Sequence, residues 1–333
     1  MARLECGCIR HAADRKFLTH FDSNHGLFTQ FLVHFIILTI GAAELNRLSE
    51  TELLTQYPAV ALATMLLLGA GLLCDFYLLL LLTRRAVSST TAPLLRVGPK
   101  PWSLRDLWFA TGVLILVLAT GNALLDLALK LAHVDEADAM PWMLGINMLL
   151  YALCLMGFLV FFRQRQIAWK EAVGLDRKSV FGAAAFGGFF FFAVLPPLAG
   201  TFVLYDRLCQ VVGIKETPQP IAELLASSDS TMVIVLVSIF AVVVAPVFEE
   251  FFFRGFAYPA LKQRWGTWKA LAIVSAVFAA VHQHIPSLGP LFTLAVGLAL
   301  AYELTGSLIA SITIHSLFNV MNVGMLLYVR AHS

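Results

Sequence analysis

Apolar runs long enough to cross a lipid bilayer recur along almost the whole chain, and they restrict its fold more than any other feature. A hydrocarbon core about 30 Å thick takes about 20 apolar residues of helix to span. Inside it every backbone N–H and C=O must find a partner within the structure, which leaves helices or closed barrels. Runs of helical length lie near 27–43, 58–82, 107–131, 142–162, 180–204, 231–261, 268–284, 288–304 and 307–329. Composition agrees, with 59% of residues hydrophobic and 13% charged, outside the balance of a soluble domain. The expected fold is an all-α polytopic transmembrane bundle of about eight helices, within a range of seven to nine. The first run is short and carries His34, which suits an interfacial helix, and the run at 288–304 is short enough to be re-entrant.

Loop charge sets an expected orientation, because cytoplasmic loops retain Lys and Arg. Arg3, Arg10, Arg15 and Lys16 precede the first run, and Arg84, Arg85, Arg96, Lys100 and Arg105 follow the second. Arg163, Arg165, Lys170, Arg177 and Lys178 follow the fourth, and Lys262, Arg264 and Lys269 surround the turn after the sixth. The intervening loops carry few basic residues. The N-terminus is therefore expected in the cytoplasm of a multi-pass protein, with the basic head and first run acting as an uncleaved anchor; short loops and compact size suit a bacterial cytoplasmic membrane. Five cysteines, an odd number, imply no disulfide framework, and the Cys6-x-Cys8 pair is read as incidental. The basic residues are accounted for by topology, so no nucleic-acid partner is expected.

The chain divides into a basic head (1–26), N-terminal membrane helices (27–204), a polar outer connector (205–230) containing Pro218 and Pro220, a last group of helices (231–329) and a short tail (330–333). All the chemically interesting residues lie in that last group. Glu249, Glu250 and Arg254 stand in an otherwise apolar stretch, where each ionised group costs roughly 2.5–3.5 kcal/mol to insert. They require partners and a wet, polar cavity in the C-terminal half of the bundle. Positions four apart on a helix share a face, so Glu250 can pair with Arg254 as structural support. Glu249, rotated by roughly 100°, remains available for chemistry.

Depth along the helices brings further groups to the same place. If the sixth and seventh runs form a hairpin about Trp265, Gly266 and Thr267, Glu249 and His282 lie at one level, each roughly 24 Å from the turn. A last hairpin about Thr305, Gly306 and Ser307 puts His315 and Asn319 about 14 and 20 Å from its turn, on one face. His282 and His284 point to nearly opposite sides of a helix, and the depth match selects His282. Asn322 is a lesser alternative to Asn319, and the runs Phe189–Phe192 and Phe251–Phe253 are read as lipid-facing or packing bulk.

These residues carry a resemblance. Glu249-Glu250-Phe251-Phe252-Phe253-Arg254, Phe278-Ala279-Ala280-Val281-His282 and His315-Ser316-Leu317-Phe318-Asn319 resemble, in order, the E-E-x-x-x-R, F-x-x-x-H and H-x-x-x-N motifs of the CAAX protease and bacteriocin-processing family, which includes the type II CAAX prenyl endopeptidases. The likeness covers about residues 231–325. It implies an intramembrane glutamate endopeptidase without a cofactor or a metal, in which Glu249 and His282 activate a water while His315 and Asn319 stabilise the oxyanion. Membrane lipid and a membrane-anchored, hydrophobic or lipidated peptide are the expected partners. Two other readings fit the same residues: a zinc protease ligated by His282, His315 and a glutamate, and a membrane scaffold or transporter with a buried proton relay.

Overall fold

A computed structural model describes residues 56–87, 95–174, 180–214 and 217–332; the basic head, Cys6, Cys8 and the candidate span at 27–43 lie outside them. Among the described residues all regular structure is helical. Helices α1 (Pro58–Val87), α2 (Leu104–Leu131) and α3 (Glu136–Gln164) are followed by a single turn, α4 (Trp169–Ala172), and the long α5 (Val180–Val212). The connector contains α6 (Pro220–Ser227) and leads into α7, continuous over Thr231–Trp265. Then come α8 (Thr267–Val281), α9 (Leu288–Thr305) and α10 (Leu308–His332). Seven of these, α1, α2, α3, α5, α7, α9 and α10, are long and apolar enough to cross a membrane.

The short member of the set is not the one expected. The stretch Ile285–Thr305 is long enough to span, whereas α8, expected to run to residue 284, stops at Val281 after 15 residues, about 22 Å of rise. His282 caps it, and Gln283 turns into the left-handed region at φ 52°. The chain then passes Pro286 in a single 3₁₀ turn, Ile285–Ser287. At the other side of the connector α5 continues past residue 204 to Val212.

Helix α5 is the central post, reached closely from three sides through glycines. A methyl group on Gly71 of α1 would stand 2.5 Å from the Phe192 carbonyl, on Gly187 of α5 2.6 Å from the Ala310 carbonyl of α10, and on Gly297 of α9 2.7 Å from Val194. Small residues at such crossings let backbones pack where lipid offers no hydrophobic drive for helix association. Two apolar cores result, one among α1, α5, α9 and α10, the other joining α2, α3, α7, α8 and α9. The phenylalanines at 190, 191 and 251–253 are buried in these cores, as packing bulk.

One end of the bundle is polar and tightly tied. The turns at Gly266 (φ 79°) and Gly306 (φ 68°) lie there, as does Gly174 (φ 73°), whose backbone packs directly on Gly306. Buried Glu303 accepts from Tyr258 Oη at 2.5 Å and from Lys262 Nζ. Its backbone carbonyl accepts from the Arg96 amide at 2.8 Å. Trp102 Nε1 donates to the Phe256 carbonyl at 2.9 Å, and Arg165 pairs with Asp106. Basic loop residues such as Arg96, Arg165 and Lys262 thus share one end, as alternate loops of a multi-pass bundle must.

Candidate active site

The site is built on a helix that departs from α geometry on both sides of its two glutamates. Within α7, Phe240–Val244 and Phe251–Ala257 are wound as π-helix, a form that gathers at functional sites. The Ala245 amide bonds the Phe240 carbonyl five residues back. The next residue, Pro246, has no N–H to give, so the Ala241 carbonyl cannot be served in the same way. Asn319 of α10 serves it, donating from Nδ2 at 2.6 Å. That hydrogen bond uses one of the two amide protons of Asn319.

Glu249 and Glu250 part as their helical positions require. Glu250 is fully buried, and its Oε1 accepts from Arg254 Nη1 at 2.7 Å and from His315 Nδ1 at 3.0 Å. Arg254, also fully buried, donates from Nη2 to the Ala295 carbonyl at 3.0 Å and lies over the Phe278 ring, 4.5 Å from its centroid. This guanidinium is held by charge, carbonyl and ring, while its Nε has no hydrogen-bond partner among the described residues. Glu249 instead faces a cavity with 18% of its side chain exposed, and its Oε2 lies 3.9 Å from His315 Nε2. Among the described residues that oxygen has no hydrogen-bond partner.

The histidines are held in defined tautomers by what they touch. His282 Nδ1 lies 2.8 Å from the carbonyl of Phe278, four residues earlier. A carbonyl only accepts, so Nδ1 carries the proton and Nε2 keeps a lone pair. His315 Nδ1 likewise donates to Glu250, which leaves its Nε2 toward Glu249. Phe278 joins them, with its ring 4.9 Å from that of His282 and 5.7 Å from that of His315. His284 is engaged elsewhere: Nδ1 meets Ser287 Oγ at 2.7 Å and Nε2 meets the Thr217 carbonyl at 2.9 Å.

Glu249, His282, His315 and Asn319 all line one cavity of about 860 Å³, together with Asn322. Glu250 and Arg254 stand behind its wall. Apolar side chains from α2, α5, α9 and α10, Leu114, Leu118, Phe202, Leu294 and Leu326 among them, make up much of the rest. Thr217, Gln219, His284 and Ser287 line its connector end, where Gln219 Nε2 donates to Ser287 Oγ at 2.9 Å. Among the described residues no three His, Cys, Asp or Glu side chains are gathered as a metal ion would need.

Three participants were missed by reasoning from sequence. Tyr151 of α3 lines the cavity, its ring packed 4.4 Å from that of Phe248, the residue before Glu249. It stands in a continuous apolar run that gives it no distinguishing mark. The Ala241 carbonyl had one available signal, Pro246 within a helical run. Phe278 stands in the sequence as a motif letter only, and its place between a guanidinium and two imidazoles depends on α8 crossing α7 and α10.

Comparison with known proteins bears out the resemblance over the segment that forms this site. Residues 231–321 match the family described as Type II CAAX prenyl endopeptidase Rce1-like. The match runs from α7 into α10 and includes all three motifs; α1 to α6 lie outside it. With the seven apolar helices, it supports a multi-pass membrane protein whose segment 231–321 is similar to CAAX-type intramembrane proteases. No curated protein and no solved structure matches the chain.

Proposed function

We propose that the chain is a glutamate endopeptidase that hydrolyses a peptide bond in a membrane-associated substrate, with Glu249 and His282 activating a water. The observation that carries this reading is the separation of the adjacent carboxylates: Glu250 is fully buried with its Oε1 held by Arg254 and His315, while the Glu249 side chain, 18% exposed, lines the cavity. Glu249 takes a proton from the water as it attacks the carbonyl carbon, and the lone pair on His282 Nε2 accepts the water's other hydrogen and orients it. Charge then develops on the carbonyl oxygen. Asn319, which lines the cavity, has a second amide proton to donate to it, and His315 Nε2 is a further donor when the ring is doubly protonated.

The substrate class follows from the wall. A cavity that is apolar over most of its surface, with polar groups at one layer, suits an extended peptide bearing hydrophobic or lipid groups. A lipidated or membrane-anchored C-terminal segment meets both requirements. The clustering of Arg96, Arg165 and Lys262 at the Gly266 end supports placing that end in the cytoplasm, which sets the N-terminus there too if the run at 27–43 crosses the membrane.

The test compares membrane-peptide profiles from cells expressing the native chain and Glu249→Gln. New peptide termini are expected with the native chain and absent with the variant. Unaltered hydrolysis by folded Glu249→Gln overturns the proposal.

A further inference from the structure

We infer that the Tyr151 hydroxyl is an additional hydrogen-bond donor to the reacting carbonyl oxygen, supplied by α3 from outside the segment that matches a known family. The inference rests on the reading of Glu249 as the base. Its ground is the geometry of the cavity wall. The Tyr151 ring packs 4.4 Å from that of Phe248 and 5.3 Å from that of Phe240. Phe248 is the residue before Glu249, and Phe240 is the residue before Ala241, whose carbonyl holds Asn319. The phenol is thus held by the neighbours of both the base and the amide donor, on the cavity surface. Among the described residues the hydroxyl has no hydrogen-bond partner. Its proton is available to a guest.

The donors already named leave room for such a group. His315 spends its Nδ1 proton on Glu250, and its Nε2 donates only when the ring carries two protons; Asn319 spends one amide proton on Ala241. A phenol keeps its O–H through neutral pH and donates whatever the state of His315. In the first step a water O–H bond breaks, its proton moves to Glu249, and the new C–O bond drives an electron pair onto the carbonyl oxygen. Tyr151 donates a hydrogen bond to that oxygen and retains its own proton. In the second step the C=O bond re-forms, the C–N bond breaks, and the leaving nitrogen takes the proton from Glu249. The products are a carboxylic acid and an amine.

The experiment uses the full chain in lipid nanodiscs and an internally quenched peptide ending in a prenylated CAAX sequence. Tyr151→Phe keeps the ring that packs on Phe240 and Phe248 and deletes only the hydroxyl. A fall in kcat of about 10²- to 10³-fold is expected, as for other oxyanion donors, with KM and Tm near the native values. The probe is expected to bind Glu249→Gln and the double variant Glu249→Gln, Tyr151→Phe equally, since the donor acts in the transition state. A kcat within about twofold of native, a loss confined to KM, or a lowered Tm that marks the hydroxyl as structural overturns the inference alone, provided that the native chain cleaves and Glu249→Gln does not. A native chain that leaves the probe intact, or an active Glu249→Gln, overturns the underlying reading and this inference with it.

Discussion

Adjacent residues Glu249 and Glu250 have opposite surroundings, because one step along a helix turns a side chain by about 100°. Glu250 points into protein, where Arg254 and His315 satisfy Oε1, and removing one partner of such a buried pair leaves an uncompensated charge. Arg254→Met is therefore expected to destabilise the fold by about 3–5 kcal/mol, while the double change Glu250→Gln, Arg254→Met recovers much of that loss. Unfolding of the purified variants in mixed micelles measures both. Asn319 makes a separate case. Asn319→Ala orphans the buried Ala241 carbonyl, at about 1–3 kcal/mol, and removes a donor worth about 10²- to 10³-fold in turnover. Turnover per folded molecule separates the two effects, and native turnover in the folded fraction would confine Asn319 to a structural role.

Two irregular segments and one early stop shape α7 and α8 around the site. The π turns re-aim successive side chains, and Pro246 exposes a carbonyl that fastens α10 to α7. Helix α8 stops at Val281, with His282 at its end rather than on its flank, so that the imidazole enters the cavity where the chain turns away. Helix α10 is fixed from its other side by α5, through the close approach at Gly187. Gly187→Val is expected to wedge these helices apart. The overpacking costs about 1–3 kcal/mol, and His315 and Asn319 shift with α10 although no polar group is removed. Thermal unfolding together with peptide turnover tests this; full turnover with unchanged Tm would mean that the contact does not set the position of α10.

At the scale of the whole molecule, the connector closes one end of a cavity whose walls come from helices far apart in sequence. His284 makes the closure through Thr217 and Ser287. Burial pushes its imidazole below the ordinary histidine range, against the opposing pull of the Thr217 carbonyl. The docked connector therefore favours the neutral ring, and the released one binds the proton more readily. The stabilisation is whole above the ordinary histidine pKa of about 6.5 and is lost as the pH falls toward the depressed native value. Amide protection factors in residues 217–224, with the intrinsic pH dependence of exchange divided out, are expected to fall between about pH 7.5 and 5.5, and His284→Gln is expected to flatten that dependence. An unchanged pH profile in the variant would assign the effect to another group.

Hydropathy made the helical bundle legible, because crossing lipid requires a length of apolar chain and that length is a local property. Helical spacing made the Glu250–Arg254 pair legible for the same reason, and hairpin depth put Glu249, His282, His315 and Asn319 on neighbouring layers. Three contacts exist only because helices distant in sequence touch: the Asn319 bond to a carbonyl that a proline cannot serve, Phe278 between Arg254 and two histidines, and Tyr151 against Phe248. The early end of α8 belongs with them, since Gln283 takes a left-handed conformation that its own side chain does not favour. Periodicity reports the face on which a residue lies. Which partner meets that face, and which hydrogen bonds it consumes, is decided by packing.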